Sequence, residues 1–325
     1  MSTPIDARVF CTRLTKLALG QLGHGGLGKK AAAFAAEHLD LSLPRVAQQE
    51  RSSDGSTKLV LALADGARVE AVHMPRAVKN PRVTVCLSSQ VGCAMGCTFC
   101  RTAQMGLVRH LTAAEIVGQL LIVLQTLGPV DPQRVNVVFM GMGEPLHNLN
   151  AVLTAVRVMC NPAGLGLSPS RITVSTSGLI PGIDALARAA VRPCLALSVN
   201  ATTDAARLRT MPITKAHGLA DLRLALLRFP LRSHEKITIE YVLLPGENDT
   251  AEDAVRLAAF TRGYRHCVNV IPFNRYDGAR FEAPSAESLA RFVRAAQDEG
   301  CLVTVRHSRG TDVSAACGQL VQLTT

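Results

Sequence analysis

Cys93, Cys97 and Cys100 lie in the run Gly92-Cys93-Ala94-Met95-Gly96-Cys97-Thr98-Phe99-Cys100, a C-x3-C-x2-C spacing. Closely spaced thiolates hold iron–sulfur clusters, and a four-iron cluster has four corners. Three local cysteines leave one iron without a protein ligand, open to a chelating small molecule. Phe99 stands between the last two, where an aromatic ring shields a cluster from water. A zinc site and buried structural thiols are the competing readings. Zinc usually takes four ligands in paired C-x2-C or Cys/His spacings, and no partner pair occurs at suitable spacing. The triplet predicts one [4Fe-4S] cluster on Cys93, Cys97 and Cys100.

The elements that must position these thiols follow from the apolar pattern. Short aliphatic runs at 82–88, 135–140, 171–176, 193–199, 236–243 and 268–273 read as strands covered on both faces. Helical patterns fall at 112–127, 149–159, 181–190, 217–228, 250–263 and 285–299, the first opened by the capping box Thr112-Ala113-Ala114-Glu115. A further strand is expected at 301–306. Six strand–helix repeats predict an α/β fold, a partial (βα)6 barrel over residues 81–325. In such folds chemistry sits on loops at the C-terminal ends of strands. Residues 1–80 read as a small N-terminal α+β appendage. It has helical pattern at 6–20 and 28–39, a glycine-rich loop at 21–28, and a hairpin of 58–63 with 68–74 turned by Asp65-Gly66.

Hydrophobic residues make up 48% of the 325 and charged residues 18%, which excludes wholesale disorder, and the formal charge of +10 fits a polyanionic partner or simple solubility. No secretory signal and no apolar run long enough for a membrane span is present. A cytoplasmic protein with reduced thiols is expected.

Beyond the triplet, the runs Cys86-Leu87-Ser88-Ser89-Gln90-Val91-Gly92-Cys93, Met140-Gly141-Met142-Gly143-Glu144-Pro145-Leu146 and Ala315-Ala316-Cys317-Gly318-Gln319-Leu320 resemble the RlmN/Cfr family of radical S-adenosylmethionine (SAM) enzymes. These methylate adenosine carbon 2 or carbon 8 in RNA. The resemblance covers roughly residues 58–320. It implies that the open iron chelates the amino and carboxylate groups of SAM. It also implies that Gly143 and Glu144 hold the SAM amino group, although a Glu-Pro pair alone more often just begins a helix. Ser175, Ser198, Val199, Asn200 and Asn274 match further SAM contacts, with Asn200 where the family commonly has histidine.

The same resemblance implies that Cys317 accepts a methyl group from one SAM as S-methylcysteine. A second SAM then provides the radical that activates this methyl, so that two are consumed per turnover. Cys86 matches the resolving cysteine, which forms a transient disulfide with Cys317. Glu70, in Val69-Glu70-Ala71-Val72, matches the proton acceptor; without the resemblance it reads as a strand-face carboxylate paired with Arg68 or Arg76. An electron-poor ring carbon has no useful nucleophilicity toward SAM, which is why radical addition is needed. Cys11, Cys160, Cys194, Cys267 and Cys301 read as small buried hydrophobes.

The implied partners are ribosomal or transfer RNA, an external electron donor and a thiol reductant, with the protein monomeric. Arg76, Lys79, Arg82, Arg207, Arg209, Arg306, His307 and Arg309 could each meet phosphate or could each be ordinary solvated charge. Two other classes compete: a radical SAM enzyme acting on a different RNA or a non-RNA substrate, which would not need Cys86 and Cys317, and a non-catalytic RNA-binding protein with a relict cluster, which would not cleave SAM.

Overall fold

Val, Ile and Leu dominate the strands that the sequence places inside, and these segments stack into one sheet. The computed structural model describes residues 24–40, 42–76, 82–128 and 131–321, with Thr12, residues 15–18 and Gln21 before them. The expected helix at 6–20 and Cys11 lie mainly or wholly outside the described residues.

The barrel strands are β4 (Arg82–Cys86), β7 (Val135–Phe139), β8 (Ile172–Thr176), β9 (Cys194–Ser198), β10 (Ile237–Leu243), β11 (His266–Pro272) and β12 (Val303–Val305). They pair in parallel in chain order. The crossovers carry helices at Ala113–Leu127, Leu149–Cys160, Ile180–Ala187, Leu219–Leu227, Ala251–Thr261 and Ala286–Asp298. Thr112 and Glu115 form the expected capping box, which ties down the start of the first crossover helix. Tyr241 of β10 stacks on Phe292 at 5.1 Å in a largely aliphatic interior.

The appendage continues this sheet. β2 (Thr57–Ala62) and β3 (Arg68–Arg76) form the expected hairpin, and β3 pairs antiparallel with β4. One strand was not legible in advance: β1 (Arg45–Arg51), which pairs antiparallel with β2. Its sequence, RVAQQER, has no alternation because nearly every residue is exposed. A register shift between Val46 and Gln48, together with its charges, suits an unprotected sheet edge. A short helix at Asp204–Thr210 was missed because it has no continuous apolar face. The glycine-rich stretch contains a helical turn at His24–Leu27 and leads into a helix at Lys29–His38.

Two further short strands, β5 (Gln90–Gly92) and β6 (Leu107–His110), pair across the base of the cysteine loop. Cys93 N donates to Gly106 O at 2.7 Å. Gly92 has φ +74°, and a Cβ there would stand 1.9 Å from Gly106 O. Only glycine therefore closes this loop where the first thiol leaves the strand.

Candidate active site

The C-terminal ends of β7, β8, β9, β10, β11 and β12 open into one cavity. Cys93, Cys97 and Cys100 line it together with Gly143, Glu144, Ser175, Ser198, Asn200, Asn274 and Cys317. Most of the residues singled out in sequence are thus brought together by the barrel.

Burial pushes the Cys93 thiol up to about 12, and burial likewise raises Cys97 and Cys100, each of which also feels its neighbours' charge. Three closely placed thiols lining one cavity, Cys93 buried and Cys97 and Cys100 half-buried, suit a group whose separate irons each take one thiolate. Phe99 packs with Met211, Leu244, Phe273, Tyr276 and Phe281 beside them, an apolar wall that excludes water.

Glu144 is buried, and burial raises its carboxyl above the usual range. Its Oε2 accepts from Ser177 N and Ser177 Oγ, both at 2.8 Å, and its Oε1 accepts from Leu146 N at 3.1 Å. A buried carboxylate held from behind by neutral donors is suited to a cationic ligand in front. Gly141 and Gly143 let this loop lie against the strand before the cysteines: a Cβ on Gly141 would be 2.7 Å from Leu87 O, and one on Gly143 2.6 Å from Gln90 Cβ.

Asn200 takes a left-handed φ of +52°. Its Oδ1 accepts from Val242 N at 2.8 Å and its carbonyl from Asn248 Nδ2 at 2.9 Å. Val199 lies in the core rather than on the cavity wall, its N–H bonded to Glu240 O and its carbonyl to Arg207 Nε. Asn274 Nδ2 donates to Cys317 O at 3.0 Å, so this residue positions the Cys317 turn. That turn is also held by Arg101 N to Gly318 O, Thr102 Oγ1 to Leu320 O, and Gln319 Nε2 to Arg275 O.

A second cavity adjoins the first, sharing Met140, Ile271, Arg306 and Cys317 with it. Cys86, Arg76, His307 and Arg309 also line it. Burial pushes the Cys86 thiol up to about 12, and the nearby Cys317 adds to this. The Arg306 guanidinium is favoured in its charged form first by Cys317, and it lies 3.8 Å from the buried Glu240.

Glu70 lines neither cavity. It is buried and pairs with Lys58 at 3.8 Å, not with Arg68 or Arg76, and its Oε2 accepts from Val321 N at 3.1 Å. Glu70 and Val72 lie on one face of β3, and Val72 pairs directly with Cys86, which puts the carboxylate and that thiol on the same side of the sheet.

Arg207 is not available to phosphate. It is fully buried, and its guanidinium donates to Ser177 O, Ser198 O, Val199 O and Thr214 Oγ1. It ties together the ends of β8 and β9, and burial pulls it down to about 10. Arg207→Ala should cost about 3–5 kcal/mol in denaturant unfolding, since it leaves several buried carbonyls unpaired. Arg209 pairs with Glu247 at 2.9 Å, and Lys79 lies outside the described residues. Of the cysteines read as small buried hydrophobes that lie among the described residues, Cys301 is buried, and Cys160, Cys194 and Cys267 are half-buried.

The Radical SAM superfamily model matches residues 87–258. The chain is 49% identical over 271 residues to the dual-specificity RNA methyltransferase RlmN of Geobacter sulfurreducens, an alignment covering 83% of this chain and 73% of that one. The chain belongs to the RlmN family. It is a radical SAM RNA methyltransferase. The RlmN of Desulfosudis oleivorans is 42% identical over 295 residues, covering 90% of this chain and 78% of the relative. A radical SAM methyltransferase from Sphaerobacter thermophilus superposes with a TM-score of 0.87 at 38% identity, covering 95% of this chain and 92% of that one. The family brings SAM and a [4Fe-4S] cluster in general, and an RNA substrate. The thiol wall and the Glu144 cradle fit both groups. No helix among the described residues is long and apolar enough to cross a membrane.

Proposed function

We propose that this RlmN-family protein methylates an adenosine ring carbon, carbon 2 in preference to carbon 8, in ribosomal RNA, transfer RNA or both, with the methyl carbon carried on Cys317. The observation that carries this reading is the shared wall of the two cavities: Cys317 lines the first together with the thiol triplet, and the second together with Cys86, Arg76, His307 and Arg309. A carrier thiol there can reach a donor in the first cavity and a nucleotide in the second. The basic lining of the second cavity suits a phosphate-bearing substrate, and the base must leave its stack to enter it.

Cys93, Cys97 and Cys100 would hold a single cluster, which would supply the electron that splits SAM into methionine and a carbon-centred radical. Glu144 would accept a hydrogen bond from the SAM amino group. Ser175, Ser198, Asn200 and Asn274 line the same pocket, and Val199 sets the backbone behind it. The Cys317 sulfur takes the methyl of one SAM; a second SAM yields the radical that removes a hydrogen atom from that methyl. The Cys317 carbon would then bond to the adenine, and one electron and the ring proton would leave, the electron to the oxidised cluster and the proton to Glu70. For this Glu70 must turn from Val321 N toward the base. Cys86 attacks the Cys317 sulfur, forming a disulfide and breaking the carbon–sulfur bond, and the freed base is protonated. An external thiol restores both cysteines, and an external donor supplies the next electron.

Mass spectrometry of digested RNA from cells with and without the gene tests this. A methyladenosine lost from ribosomal RNA, transfer RNA or both, with 2-methyl retention, is the expected result. Unchanged RNA methylation would instead point to a different substrate for the same chemistry.

A further inference from the structure

Gln90 is wholly buried at the start of β5 and belongs to none of the roles above. Its Oε1 accepts from the backbone N of Glu144 at 2.7 Å. That contact settles which way the amide points, so Nε2 faces His110 Nδ1 at 2.9 Å and His147 Nδ1 at 3.4 Å. An NH2 group only donates, so each Nδ1 must be an unprotonated acceptor. The two imidazoles meet edge to face with centroids 5.0 Å apart, and both rings reach solvent. Gly143 is glycine because the Gln90 side chain occupies the space a Cβ would need. One glutamine therefore links two exposed titratable rings to the backbone of the Gly143–Glu144 loop.

We propose that Gln90 is a positioning residue for SAM, locked in place by two neutral histidines, and that protonating His110 or His147 unlocks the Glu144 loop and weakens SAM binding. The proposal rests on the reading that Glu144 holds the SAM amino group. A proton on either Nδ1 sets N–H against N–H and expels the amide from between the rings. The charged groups around the pair do not hold the imidazolium in place. Arg109, beside His110 on β6, is itself cationic and donates to His110 O at 3.1 Å. Its ion pairs with Asp65 at 2.7 Å and Glu115 at 2.8 Å occupy the nearest carboxylates, and the Glu144 carboxylate is turned to Ser177. Burial, and then His147, holds His110 below its ordinary value. For His110 the loss should therefore come below the ordinary histidine value, about 6.5.

Equilibrium dialysis of SAM against the cluster-loaded protein, without RNA, tests the proposal. The wild-type Kd is expected to rise about three- to tenfold between about pH 8 and about pH 5.5, the effect of losing one or two buried hydrogen bonds. In the His110→Asn/His147→Asn variant an amide oxygen stands roughly where each Nδ1 stood and does not titrate, so its Kd should change less than about twofold over that range. Gln90→Glu should reverse the trend, because the introduced carboxylate can still accept from Glu144 N and now pairs with protonated histidines. Retention of the wild-type fall by the double histidine variant would assign it to Glu144 itself and overturn the proposal; so would a flat wild-type profile. Because SAM binding is read without RNA, a protein that shows the profile yet methylates no RNA sinks the substrate reading alone.

Discussion

Cys86→Ala protein, supplied with SAM, reductant and RNA, is expected to stop after joining protein to RNA, accumulating up to one covalent adduct per chain where the wild type shows none. The physical basis lies in the two thiols' surroundings. Cys86 is buried at the end of β4, its thiol pushed up to about 12, while Cys317 is half-buried on a turn between the two cavities. A neutral thiol is a poor nucleophile, so Cys86 does not compete for the methyl of SAM. It becomes effective only against a sulfur brought directly to it, with Arg306 close enough to favour its thiolate. Without that sulfur the bond between the Cys317 carbon and the base has no way to break. Nuclease digestion followed by intact-mass analysis reads the adduct as a retained nucleotide. A Cys86→Ala variant that turns over at the wild-type rate would remove Cys86 from the mechanism and favour a radical SAM reaction of another kind.

The second large effect is expected at Cys317. Cys317→Ala should abolish RNA methylation to below detection, and the protein should no longer gain the mass of one methylene when incubated with SAM. Iron content should stay at the wild-type level, because the thiol wall of Cys93, Cys97 and Cys100 is built by a different loop. The turn itself is held by backbone contacts from Asn274, Arg101 and Thr102 that the substitution leaves in place. Together the two variants separate carriage of the carbon from its release: one accumulates joined protein and RNA, the other forms neither adduct nor product. Residual methylation in Cys317→Ala would mean that the carbon does not travel on this sulfur.

Much of this arrangement was legible before any coordinates. The thiol triplet is local, and its spacing alone says which side chains can share a cluster. The barrel strands were legible because their buried positions are mostly aliphatic, as with Ile237, Ile239 and Leu243 in β10 and Val268, Val270 and Ile271 in β11. β1 escaped because it is exposed, and the Asp204–Thr210 helix because its buried residues, Arg207 and Thr210, are polar. Arg207 illustrates the limit at the site. As sequence it is one more surface cation, and only the closeness of β8 and β9 turns it into a buried clamp on their carbonyls.

The amino-acid sequence by itself determined the chemistry on offer: three clustered thiols, two distant cysteines in recognisable runs, and a Gly-Glu pair after the second barrel strand. Those depend on residue type and short-range spacing. Tertiary structure alone decided which of them meet, because contacts such as Glu70 with Lys58 and Val321, Asn274 with Cys317, and Gln90 with Glu144, His110 and His147 join segments far apart in the chain. Long-range hydrogen bonds of buried polar groups follow from how the sheet curls and the loops pack, and no local pattern encodes them.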